Sequence, residues 1–128
     1  YGTDCDIFAP CALGAILSSE TIPQLKCKAV SGGANNQLAT TEDGKRLQER
    51  NILYAPDYVV NCGGALAITG MEKYGWEEQP TREKIKATVE SALTEIFKLS
   101  QRNNLTPDEA ALQIAKQRLD SGTKGLNH

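Results

Sequence analysis

Histidine is nearly absent: the chain of 128 residues holds one, His128, at its last position. Ser-His and Cys-His nucleophilic catalysis and histidine metal sites inside the fold are therefore excluded within this chain, because each needs an imidazole held by surrounding structure. Cysteine is scarce and forms no C-x-x-C pair. Cys5, Cys11, Cys27 and Cys62 read as small buried thiols rather than as a zinc site or a disulfide framework. An excess of charge of one sign is also missing. With 14 basic and 16 acidic side chains and a net charge of -2, there is no electrostatic footprint for a nucleic-acid backbone or an anionic membrane, so neither partner is expected. No apolar run approaches the roughly 18 residues of a membrane span, and the start at Tyr1-Gly2-Thr3-Asp4 carries no leader features. One compact domain in the cytoplasm is the expectation.

What is present divides in two. Residues 1 to 64 hold three short apolar runs that read as strands, Cys5 to Pro10, Cys27 to Gly32 and Asn51 to Pro56. The stretches between them are too long for hairpins. They carry helix cues at Thr21-Ile22-Pro23-Gln24-Leu25 and at Thr41-Glu42-Asp43, so parallel pairing with right-handed crossovers is predicted. From Asp57 the pattern becomes helical. Asp57 reads as the cap of a helix reaching about Tyr74, in which Gly63-Gly64 costs roughly 1 kcal/mol per glycine and implies a close approach. Thr81 opens a second helix with an apolar stripe through Ile85, Val89, Ala92, Leu93, Ile96 and Leu99, closed by Asn103-Asn104. Thr106-Pro107-Asp108-Glu109 then reads as a capping box, followed by a stripe of Ala110, Ala111, Ile114, Ala115 and Leu119. That capping role explains Asn104-Leu105-Thr106 better than glycosylation does.

In an open parallel sheet, ligands bind outside the carboxyl ends of the strands. The residues there are Cys11 to Gly14, Gly32 to Gln37, and Asn61-Cys62-Gly63-Gly64. All three stretches are rich in small or carboxamide residues; small residues admit a ligand close to the backbone, and asparagine offers both a donor and an acceptor to a ligand amide. Taken singly, each stretch is also ordinary turn chemistry. No G-x-G-x-x-G or P-loop glycine pattern occurs, so the pyrophosphate cradle of a dinucleotide fold is not in these residues. No convincing general base stands at a strand end.

Three stretches carry a resemblance: Asp6-Ile7-Phe8-Ala9-Pro10-Cys11-Ala12-Leu13-Gly14, Gly33-Ala34-Asn35-Asn36-Gln37-Leu38, and Tyr54-Ala55-Pro56-Asp57-Tyr58-Val59-Val60-Asn61-Cys62-Gly63-Gly64. In order and separation they resemble the dehydrogenases acting on leucine, valine, phenylalanine and glutamate. The likeness continues through Gly75-Trp76 and Thr106 to Ala111, as far as Arg118. It implies an α/β fold, the second half of a Rossmann-type doubly wound parallel sheet of about three strands, followed by C-terminal helices. Residues 1–75 would complete the dinucleotide-binding domain and residues 76–128 form the helical segment. It further implies NAD as cofactor, an L-amino acid as substrate, a homo-oligomer, and catalytic groups on an upstream domain rather than in this chain, which reads as truncated.

Residue by residue, the resemblance puts Cys11, Ala12, Leu13 and Gly14 beside the nicotinamide ribose. Asn35 and Asn36 would face the nicotinamide carboxamide, and Asn61 the junction of cofactor and substrate, with Gly63 and Gly64 leaving room for the substrate. Cys62 departs from the alanine usual in the family's Asn-Ala-Gly-Gly. Gly75-Trp76 and Thr106 to Ala111 look more like the phenylalanine branch, but capping accounts for Glu109 without a pocket, so no substrate is chosen. A non-catalytic α/β binding or interaction module, inactive on its own, is the alternative.

Overall fold

Each of the three apolar runs condenses into a short strand. In the computed structural model, which describes residues 1–124, these are β1 (Ile7–Phe8), β2 (Ala29–Val30) and β3 (Leu53–Tyr54). They pair in parallel in the order β1-β2-β3, with Ile7 beside Ala29 beside Leu53 and Phe8 beside Val30 beside Tyr54. The α/β parallel architecture is therefore as expected; His128 lies outside the described residues.

This register sorts the side chains by face, since successive strand residues point to opposite sides. Val30 and Tyr54 are buried, with Phe8 packed beside them, and they meet Leu17, Ile22, Leu25, Cys27, Leu47 and Ile52 in one core. On the other face Ile7 and Leu53 remain 60% and 47% exposed. The first crossover is irregular, with only a 3-10 turn at Ile22–Gln24, which stops where Leu25 turns extended at ψ 135°. The second contains α1 (Thr41–Glu49). Its capping box pairs Thr40 with Asp43, whose buried carboxylate accepts from the Thr40 N–H at 2.8 Å.

The helix expected from Asp57 to Tyr74 is broken into α2 (Asp57–Val60), α3 (Gly63–Ile68) and a π turn at Thr69–Lys73. Asn61 leaves helical geometry with φ -95° and ψ 1°, and the two glycines after it add little to resist the break. Gly70 is required where it stands: a Cβ there would lie 2.3 Å from the Trp76 ring. The next helix, α4 (Glu78–Asn103), starts one turn before Thr81, because Pro80 is tolerated where no intrahelical N–H is needed. It ends at Asn104 in the left-handed region, φ 52°. The Thr106 box is formed, the Thr106 N–H donating to Glu109 at 2.8 Å and the Glu109 N–H to Thr106 at 3.2 Å, and α5 (Pro107–Lys124) follows.

Ile96, Ala110, Ala111 and Ile114 form the α4–α5 core. The stripe expected on α5 stops there: Ala115 is exposed and Leu119 is 73% exposed, because periodicity defines a face but not how far the packing partner reaches. No helix among the described residues is long and apolar enough to cross a membrane.

Candidate functional site

The three loops that follow the strands meet. After β1, the Ala34 N–H donates to Pro10 O at 2.9 Å and the Gly33 N–H to Cys11 Sγ at 3.4 Å. Further along, the Ala15 N–H donates to Asn36 O at 2.7 Å and the Leu17 N–H to Gln37 O at 3.0 Å. Gly14 allows this approach, since a Cβ would stand 2.8 Å from Asn35 O. Cys11 to Gly14 thus lie against Asn35-Asn36, exposed along their length. Cys11 is accordingly a correction: only Cys27 among the four cysteines is buried, and the Cys11 sulfur is an exposed acceptor for a backbone N–H.

The third loop joins through its side chain. Asn61 Nδ2 donates to Asn35 Oδ1 at 2.5 Å. With that bond made, Asn35 keeps an amide donor and Asn61 keeps its carbonyl acceptor, the complement of a ligand carboxamide. Gly63 and Gly64 differ. A Cβ on Gly63 would touch Ile85 of α4 at 3.3 Å, so helix packing explains it, whereas Gly64 has nothing within 4 Å and faces open space.

Beneath these residues lies a layer the sequence did not disclose. Asp57 was expected to cap a helix, but α2 has no side-chain cap bond and its cap position falls to Pro56. The Asp57 carboxylate instead accepts from the Tyr54 hydroxyl at 2.8 Å and from the Asn36 N–H at 3.0 Å. Burial, and then the bond to Asp57, push the Tyr54 phenol well above the usual tyrosine range. Gln37 is fully buried, and its Nε2 donates to Gly32 O at 2.7 Å and Ala34 O at 2.9 Å, stapling the second loop. Its Oε1 has no partner among the described residues. The one local signal for the Asp57 network was Tyr54, three residues before it.

A model of the Glutamate/Leucine/Phenylalanine/Valine dehydrogenase family matches residues 1–124. The chain belongs to this family. Among relatives of the dehydrogenase family, a leucine dehydrogenase of Thermoactinomyces intermedius is 42% identical over 120 residues, 94% of this chain and 32% of that protein. A phenylalanine dehydrogenase of Caldalkalibacillus thermarum is 45% identical over 119 residues, covering 93% and 32%. The crystal structure of an L-tryptophan dehydrogenase from Nostoc punctiforme superposes with a TM-score of 0.85 at 37% identity, covering 97% of this chain and 37% of that one. The chain thus spans about a third of the length of the curated dehydrogenases it matches.

Proposed function

We propose that this chain supplies the nicotinamide-side contacts of an NAD-dependent L-amino-acid dehydrogenase. The reaction is oxidative deamination of a branched-chain or aromatic L-amino acid to the 2-oxo acid and ammonia. The observation that carries this reading is the convergence of three strand-end loops on the Asn35–Asn61 carboxamide pair, 2.5 Å apart, at the carboxyl edge of a parallel sheet.

A nicotinamide end fits the residues present. Gly14 keeps two loops in contact with no side chain between them, and the free donor and acceptor of the asparagine pair match an amide. The chemistry such a cofactor supplies when bound is acceptance of a hydride. Cys11, Ala12, Leu13 and Gly14 would border its ribose, Asn35 and Asn36 would hold the carboxamide, and Asn61 would orient cofactor and substrate together. Gly64, on open space, would leave room for the substrate; Gly63 would do so only on the side away from Ile85. These groups bind and orient, and none transfers a proton, so the groups that do belong to an upstream catalytic domain in this reading. The protein would work in the cytoplasm as a homo-oligomer.

The test is direct. The complete protein carrying this chain, given NAD and a panel of leucine, valine, phenylalanine and tryptophan, should form NADH with at least one of them. No turnover with any member would overturn the reading.

A further inference from the structure

Asp57 is an acid in an unusual position. It is 8% exposed, and among the described residues it has no ion-pair partner. Burying a carboxylate is unfavourable unless donors replace the lost water, and here two do: the Tyr54 hydroxyl at 2.8 Å and the Asn36 N–H at 3.0 Å. Because the acceptor is charged, these bonds are stronger than neutral ones. The helix to which Asp57 belongs is a single turn of 4 residues and takes no side-chain cap bond from it.

The bonds form a closed ring. From the Asp57 carboxylate the path runs to the Asn36 N–H at 3.0 Å and along the backbone to Asn35. It crosses to Asn61 by the side-chain bond of 2.5 Å and returns from the Asn61 N–H to Asp57 O at 2.8 Å. Asn36 sits inside this ring at φ 53°, a left-handed conformation that asparagine reaches at a cost and that a firmly held N–H keeps in place. Tyr54, fully buried in the sheet core, anchors the carboxylate from below.

We propose that Asp57 is a positioning residue for the nicotinamide end of the site: by holding the Asn36 N–H it fixes the Asn35–Asn36 turn against Asn61. The proposal rests on the cofactor reading above. Asp57 touches no ligand in it and acts through the two asparagines.

The experiment compares NAD with ADP-ribose, which lacks the nicotinamide, by titration calorimetry on the complete protein. Wild type should bind NAD more tightly. Asp57→Ala should weaken NAD about tenfold while ADP-ribose changes by less than about twofold. Asp57→Asn retains one acceptor for the Asn36 N–H and should weaken NAD only about threefold, a partial rescue. Tyr54→Phe leaves Asp57 in place but unanchored and should fall in the same range. Hydrogen exchange at the Asn36 amide, followed without ligand, should speed up in the same order. If wild type binds the two ligands equally, the cofactor reading itself fails. If wild type prefers NAD and the variants that fold keep that preference unchanged, or lose both ligands alike, the positioning role is overturned and the cofactor reading stands. Should Asp57→Ala not fold, Asp57→Asn and Tyr54→Phe decide.

Discussion

The strand region and the helical tail are held together by different kinds of contact. Leu17, Ile22, Leu25, Val30, Leu47 and Tyr54 enclose one face of a sheet, and the loops above them are tied by bonds such as Asn36 to Asp57 and Gly33 to Cys11. In the tail a small core of Ile96, Ala110, Ala111 and Ile114 joins two helices, with local bonds such as the Thr106–Glu109 box and two ties back to the strand region, the Tyr58 hydroxyl donating to Asp108 at 2.9 Å and Gln48 Nε2 to Leu105 O at 3.3 Å. The exposed Arg118–Glu95 pair at 2.6 Å adds a link between the two helices, of a type that contributes little. The difference lies in tolerance: at Gly14 and Gly32 the loops that gather the asparagines admit no Cβ, while the tail rests on a short apolar seam between two helices.

The sharpest way to break that contrast is Gly32→Ala. Its Cβ would meet Pro10 O at 2.2 Å and Pro10 N at 2.4 Å, and backbone cannot step aside, so a loss of about 4 kcal/mol is expected in urea unfolding. A midpoint equal to wild type would show that the loops are as forgiving as the tail. Ile96→Ala, at a site 4% exposed, should cost about 3 kcal/mol yet leave hydrogen exchange at the Asn36 amide unchanged; faster exchange there would mean that the two regions are one cooperative unit. Alkaline titration separates them chemically. The Tyr54 phenol is raised in the folded state, so its contribution is whole below the ordinary tyrosine value of about 10 and shrinks as pH climbs beyond it. Stability should decline above that pH in wild type and less steeply in Tyr54→Phe, as read from urea midpoints. The smallest effect belongs to Thr106→Ala, which removes the acceptor for the Glu109 N–H and should lower stability by about 1 kcal/mol in thermal melts.

Legibility followed distance along the chain. The start of α5 could be read because Thr106 and Glu109 are three residues apart and a capping box is a local pattern. The strands could be read from their apolar runs, and the meeting of their loops from the rule for parallel sheets. Asp57 was misread because its partner Asn36 lies 21 residues away, and a near explanation, the helix cap, stood ready. Cys11 was misread for the same reason, its donor Gly33 being 22 residues on. Gln37 stood within a recognised stretch, but nothing in that stretch showed that its side chain turns inward onto Gly32 O and Ala34 O. Leu119 kept the helical spacing, yet the packing that spacing promised ends near Ile114.

The left-handed turn at Asn104 has a kinetic corollary. It reverses the chain within Asn104, Leu105 and Thr106, the Leu105 N–H closing on Ser100 O at 3.0 Å, so little chain entropy is lost in bringing α5 onto α4. The parallel strands can join only after whole crossovers have been drawn in. On refolding, the α4–α5 hairpin should therefore assemble ahead of the sheet, leaving the asparagine cluster among the last features to mature.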